Sequence, residues 1–266
     1  MTDTIVLIHG LWMTPLSWEH WIARYEAAGC RVIAPAWPGL DGPVKELRSD
    51  PKPYERLGVK EIVDHYERVI RDLDAPPIIV GHSYGGAFTQ VLLDRGLGSA
   101  GVAIDSAPTK GVLNLPLAQI RAASPVLRNP LNRRRAVMLT PKQFRYAFTN
   151  TLSDEDAARV YDRYPVPGPG RVLFDGAVAN FSPRSPLRID YRKPDRAPLL
   201  FIGGGADHTV PASVNRSNVK LYRKGTGVVA YREYPGRSHY TVGQDGWEDV
   251  ADYALAWARD PVPSTP

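Results

Sequence analysis

The stretch Ile78-Ile79-Val80-Gly81-His82-Ser83-Tyr84-Gly85-Gly86 decides how the rest of this 266-residue chain is read. It opens on a β-branched apolar run that suits a buried strand, and Ala87–Leu93 beyond it is nearly all apolar, as in a buried helix. A strand that reverses at once into a helix holds Ser83 at a tight apex with its hydroxyl projecting into a cleft. Gly81 and Gly85, two residues to either side, lack the Cβ atoms that would collide at such a bend. The start of the helix adds its positive pole and free N–H groups beside the hydroxyl, where an oxyanion develops during acyl transfer. The pattern predicts a nucleophilic serine.

Working outward, Thr4–Ile8 reads as a parallel strand ending in His9-Gly10, Ser17–Ala28 as a helix stopped by Gly29, and Arg31–Ala34 as a second strand. Residues 41–57 are polar and proline-containing and read as a surface excursion. Val59–Leu73 repeats apolar residues at helical spacing. After the Ser83 turn, Gly101–Ile104 is a strand closing at Asp105. Pro198–Ile202 and Val228–Tyr234 are further strands, with helices over Ala212–Arg223 and Trp247–Ala258. The alternation predicts an α/β fold with a mostly parallel sheet of about six strands, helices on both faces, and ligands beyond the carboxyl ends of the strands.

The alternation lapses from Ser106 to Ala197. Helical pieces (Leu115–Ala123, Pro141–Asn150, Asp154–Tyr164) are joined there by proline-rich loops, and seven prolines between 165 and 198 argue against sheet. So long a structureless loop is improbable, and residues 106–197 are expected to form a partly helical cap inserted into a core of 1–105 and 198–260. A tail over 261–266 is expected to be disordered.

Composition narrows the class. With 43% hydrophobic and 23% charged residues, the chain suits one globular domain with an insertion. Cys30 is the only cysteine, so no internal disulfide forms, and the first residues lead straight into a strand without a secretion signal, so a cytoplasmic protein is expected. No apolar run approaches the roughly 20 residues of a membrane span. A net charge of +5 raises the question of an anionic partner, but the cations read as spread out and the one cluster, Arg128 with Arg133–Arg135, is short. Nucleic acid and membrane are not expected as partners; the cluster reads as a solvated face or as an attractor of acidic substrates.

A serine hydroxyl is a poor nucleophile at neutral pH and requires a base. His239, in the loop between the last strand and the last helix, is the best placed of six histidines. His20 and His65 fall on helices, while His9 and His82 lie near the turn but are badly placed for the task. A carboxylate must hold the base in the correct tautomer. Asp207, after a strand and a glycine loop, is preferred; Asp105 is its rival, and Asp245 reads better at the start of the last helix. Trp12 and Trp37 are candidates for lining an acyl pocket or for ordinary core positions.

With the G-x-S-x-G turn, the glycine-loop aspartate and the late histidine in the order Ser83, Asp207, His239, the chain resembles the α/β-hydrolase superfamily over nearly its whole length. The resemblance implies an oxyanion hole from two backbone N–H groups, those of Leu11 and Tyr84. From Ile5 to about Pro38, with His9-Gly10, Ser17-Trp18 and Ala28-Gly29, the chain looks like the group without an N-terminal hairpin that includes plant methylesterases and hydroxynitrile lyases. Those lyases carry a lysine just after the histidine, where Tyr240 stands here; epoxide hydrolases and dehalogenases of this fold carry an aspartate at the position of Ser83.

The expected activity is cofactor-free and metal-free hydrolysis of a small-molecule carboxylic ester or lactone through an acyl-enzyme. The alternatives are a C–C hydrolase or hydroxynitrile-lyase-type enzyme on the same three residues, or a non-catalytic ligand-binding homologue. Phe144, Tyr146, Phe148, Phe174 and Phe181 are expected to divide between pocket lining and cap core.

Overall fold

Alternation along the central strands divides the core in two. In the computed structural model, which describes residues 3–263, β1 (Thr4–Ile8) directs Ile5 and Leu7 into one apolar cluster and Val6 and Ile8 into the other. α1 (Glu19–Ala27), β2 (Arg31–Ile33), α2 (Val44–Ser49), α3 (Val59–Arg71), β3 (Ile78–His82), α4 (Tyr84–Asp94) and β4 (Ala100–Ile104) follow. Next come α5 (Leu117–Leu127), β5 (Ala136–Val137), α6 (Pro141–Phe148), α7 (Asp154–Arg163), β6 (Gly168–Pro169) and α8 (Gly170–Ala177). β7 (Leu199–Gly204), α9 (Ala212–Tyr222), β8 (Val229–Tyr234) and α10 (Trp247–Arg259) complete the order.

Six strands pair in the order β2-β1-β3-β4-β7-β8, every neighbour parallel, which is the predicted α/β sheet. Trp18, Trp21 and Tyr25 join Val250, Ala254 and Trp257 of α10 over one face. Residues of α3, α4 and α9 cover the other. Both faces are sealed, which explains the near-continuous apolar runs of β1, β3, β4 and β7. Among the described residues no helix is long and apolar enough to cross a membrane.

Three segments depart from the sequence expectation. The excursion at 41–57 contains α2 and buries Leu47 and Tyr54, whose hydroxyl donates to the Leu47 carbonyl at 2.8 Å. One buried leucine in a short helix is too little periodicity to detect. Despite the prolines after 165, β6 pairs antiparallel with β5. Pro169 has no N–H to give, but the Gly170 N–H donates to the Arg135 carbonyl at 2.9 Å, so the next residue supplies the bond. α5 also runs past its expected end, through Pro125 to Leu127. Of the tail at 261–266, residues 264–266 lie outside the described residues, and the Val262 carbonyl accepts the Trp257 indole N–H at 2.8 Å.

A buried polar network joins the segment after β4 to the core. Gln90 on α4 donates to Ser106 Oγ at 2.7 Å and accepts from the Tyr222 hydroxyl at 3.1 Å. The Ser106 N–H donates to Asn215 Oδ1 at 3.0 Å, and Thr109 Oγ1 donates to Asn218 Oδ1 at 3.0 Å. The bonds made here favour one arrangement, because a slip strands further polar groups beyond Nδ2 of Asn215 and Asn218, which already have no partner among the described residues.

Trp21 is the tie between α1 and the loop before α10: it is fully buried, meets Trp18 and Tyr25 edge to face, and donates its indole N–H to the Val242 carbonyl at 2.7 Å. Trp21→Ala leaves both a cavity and an unpaired carbonyl, and urea denaturation is expected to show a loss of about 3–5 kcal/mol.

Candidate active site

Ser83 follows β3 and caps α4 at φ 58°, ψ −119°, a conformation that costs a serine energy. Contacts on both sides impose it. A Cβ on Gly81 would collide with the Gly85 carbonyl, and one on Gly85 with the Ile8 carbonyl, so only glycine lets α4 start this close to β1 and β3. The Ser83 N–H donates to the Ile104 carbonyl at 2.9 Å, and the Ser83 carbonyl accepts the Ala107 N–H at 3.0 Å. The non-glycine residues with positive φ among those described are Trp12, Ser83 and Asp105, and they follow β1, β3 and β4. Backbone strain is therefore concentrated along one edge of the sheet.

On that edge three predicted residues form a continuous hydrogen-bonded line. His239 Nε2 is 2.9 Å from Ser83 Oγ, and His239 Nδ1 is 2.6 Å from Asp207 Oδ2. All three side chains are buried. Asp207 is itself held, because its Oδ1 accepts the N–H groups of Thr209 at 2.6 Å and Val210 at 2.8 Å. Burial draws the His239 pKa down, but the charge and hydrogen bond of Asp207 outweigh it and leave the imidazole above its ordinary 6.5. Such a base is suited to taking the serine proton, with Nδ1–H directed to the carboxylate.

The rival carboxylate lies close by but contacts a different partner. Asp105 Oδ1 accepts the Gly204 N–H at 2.6 Å, while its buried Oδ2 has no hydrogen-bond partner among the described residues. Burial, with the neighbouring charge of Asp207, pushes its pKa up to about 8, well above the ordinary carboxylate range. Ligating atoms of His82, Asp105 and His239 fall within 4.8 Å of one another. They offer no converging set of free lone pairs for a metal, because both ring nitrogens of His239 and Nε2 of His82 are already engaged.

His82 and His9, set aside as bases, act as braces. His82 Nε2–H donates to the His239 carbonyl at 2.8 Å, fixing the backbone of the residue that faces Ser83. His9 Nδ1–H donates to the Gly10 carbonyl at 3.0 Å and its Nε2 accepts the Trp37 N–H at 3.2 Å. Burial lowers His9 to about 4 and drives His82 well below its ordinary range, so both rings are neutral. Gly10 lies against Ser83, where an added Cβ would stand 2.8 Å from Ser83 Cβ. The N–H groups of Leu11 and Tyr84, on either side of that contact, have no acceptor among the described residues.

The aromatic candidates separate by position. Trp37 stacks on His9 with centroids 4.9 Å apart and packs on Phe88. Trp12 donates its indole N–H to the Val137 carbonyl at 3.0 Å and meets Phe148 edge-on. Phe148 in turn meets His239 edge-on at 4.8 Å and stacks on Phe144, which is wholly buried. Tyr146 lies against His208, Phe174 packs on the core, and Phe181 points into solvent. Ser238 and Gln244 are contacts the sequence did not announce: Gln244 Oε1 accepts both the N–H and the hydroxyl of Ser238 at 2.9 Å and so fixes the His239 loop. Two surface cavities, of about 360 and 400 Å³, are lined by none of Ser83, Asp207 and His239.

Among curated proteins no sequence matches the chain. A pyrethroid hydrolase from Sphingobium faniae JZ-2 is similar in structure at TM-score 0.67 and 19% identity, over 98% of this chain and 99% of that one. A monoacylglycerol lipase from Paleococcus ferrophilus is similar at TM-score 0.65 and 21% identity, over 97% and 95%. An extracellular α/β-hydrolase from a Paenibacillus species is similar at TM-score 0.68 and 18% identity, over 97% and 100%. At such identities these likenesses establish a shared fold. The sequence profile described as "Alpha/beta hydrolase family" matches residues 5–253, and by that match, together with the parallel sheet and the turn at Ser83, the chain belongs to the α/β-hydrolase family.

Proposed function

We propose that the chain is a serine hydrolase that cleaves a carboxylic ester or lactone through an acyl-enzyme. The observation that carries this reading is the buried line from Asp207 through His239 to Ser83, with separations of 2.6 and 2.9 Å. Ser83 Oγ attacks the carbonyl carbon as His239 Nε2 takes its proton. Asp207 holds the imidazole and stabilises the imidazolium. The free N–H groups of Leu11 and Tyr84 receive the developing oxyanion; a donor of this kind is worth roughly 3–4 kcal/mol. His239 returns the proton to the leaving oxygen, and water then releases the acid by the same route in reverse. Two structural neighbours, a pyrethroid hydrolase and a monoacylglycerol lipase, agree with ester cleavage.

Residues 106–197 act in this reading as a cap. Ala107 is bonded to the Ser83 carbonyl, and Gly176 of α8 is so close to the Tyr84 hydroxyl that a Cβ there would collide with it. The segment thus covers the reacting groups and limits water.

A fluorophosphonate is expected to label the wild-type protein and to leave Ser83→Ala unlabelled; an unlabelled wild type overturns the catalytic reading. Asp207→Asn is expected to lower kcat on p-nitrophenyl esters by about 10⁴, whereas Asp105→Asn is expected to cost about tenfold or less, because only Asp207 bonds His239. The base must be neutral to act, so kcat/KM is expected to fall as pH drops through a value above 6.5. In Asp207→Asn that midpoint is expected to move down, since burial alone lowers the His239 pKa. A pH–rate profile of the two proteins checks both statements.

A further inference from the structure

From Ser106 to Ser153 the chain carries eight lysines and arginines and no aspartate or glutamate, although the net charge of the whole protein is only +5. A second stretch, Gly176–Ile189, adds Arg184 and Arg188 and again no acid. The structure joins the two stretches. The Gly111 N–H donates to Asn180 Oδ1 at 2.7 Å, Asn180 Nδ2 donates to the Val112 carbonyl at 2.9 Å, and α5 packs on α8.

Large apolar side chains project from the same backbone. Leu113, Leu117 and Phe181 are 80%, 83% and 87% exposed, and Leu115, Ile120 and Val178 are exposed beside them. On α5 the buried side is Ala122 and Val126, while Leu117, Ile120, Arg121 and Arg128 follow the helical repeat along the open side. None of Arg121, Arg128, Arg133, Arg134, Arg135 and Arg184 is paired with a carboxylate among the described residues. Asp175, the acid whose titration Arg133 influences, is already engaged by the Val59 N–H and by Arg171.

We propose that this face, built from residues 111–135 and 178–184, docks on an anionic lipid surface. Clustered exposed leucines and a phenylalanine mark an interaction surface, and the surrounding charge selects the partner. Anionic headgroups neutralise the arginines while the leucines and Phe181 enter the boundary between headgroups and acyl chains. A second copy of the chain fits poorly, since a two-fold contact through this face would press arginine against arginine. The docking is peripheral and needs no spanning segment. It does not rest on the hydrolase reading, but it would turn towards the bilayer the segment that covers Ser83.

Co-sedimentation of the full chain with phosphatidylcholine vesicles, with and without roughly one-third phosphatidylglycerol, tests the proposal. The wild type is expected to sediment with the anionic vesicles about tenfold more strongly than with the neutral ones, and to be released as salt rises to about 0.5 M. Arg133→Gln/Arg134→Gln/Arg135→Gln and Leu115→Ser/Leu117→Ser are each expected to weaken sedimentation about tenfold with unchanged melting, because all five side chains are exposed. Ser83→Ala is expected to bind like the wild type, which separates docking from catalysis. Absence of sedimentation at any phosphatidylglycerol content, or binding insensitive to both variants, overturns the proposal. So does a wild-type dimer in sedimentation velocity that Leu115→Ser/Leu117→Ser dissociates without any vesicle binding, since the face would then be an interface between copies.

Discussion

The approach of α4 to the Ile8 carbonyl, closer than any side chain at position 85 allows, is the constraint on which the site depends. It sets the left-handed backbone at Ser83 and places the start of α4 directly after that residue. It also brings Gly10 against Ser83, which leaves the Leu11 and Tyr84 N–H groups on either side of that contact. The strain at Ser83 is held by bonds to neighbouring strand ends, through Ile104 and Ala107, so the surrounding fold maintains a conformation the residue itself disfavours. Trp12 and Asp105 share that condition at the ends of β1 and β4.

Electrostatics at the site follow from two buried carboxyl groups. Burial and the charge of Asp207 raise the Asp105 pKa, and the two carboxyl groups differ in their hydrogen bonds. Asp207 receives two backbone N–H groups and the imidazole; Asp105 receives one N–H and leaves an oxygen unpartnered. The histidines divide in the same way. His9 and His82 are kept neutral by burial and brace backbone, while His239, beside Asp207, is kept basic enough to accept a proton.

The segment between β4 and β7 differs from the core in what holds it. The sheet is sealed by apolar burial on both faces, whereas this segment adds to its own buried apolar residues, Phe144, Phe148 and Val172 among them, the polar network of Gln90, Ser106, Thr109 and Asn215, and it leaves leucines and arginines in solvent. Read along the sequence, the cations look dispersed, because spacing conceals the absence of any acid between them. Folding gathers them: Asn180 ties residues 111–112 to 180, some seventy positions away, and two unremarkable stretches become one charged apolar face.

The sequence by itself determined the strands and the main helices, because a two-sided buried sheet demands apolar runs and amphipathic helices demand a regular repeat. It also determined the glycines that permit the Ser83 turn and the order of Ser83, Asp207 and His239. Short elements such as α2 and the β5–β6 pair escaped it, since a few residues carry too little periodicity and a proline rule overlooks the N–H that the next residue supplies. Only the tertiary structure decided which aspartate meets the histidine. β4 and β7 are neighbours in the sheet, so Asp105, the less favoured of the two in sequence, arrives on the same edge as Asp207. The N–H groups of Thr209 and Val210 then hold one carboxylate against His239, while Gly204 holds the other away, and no reading of spacing contains that geometry.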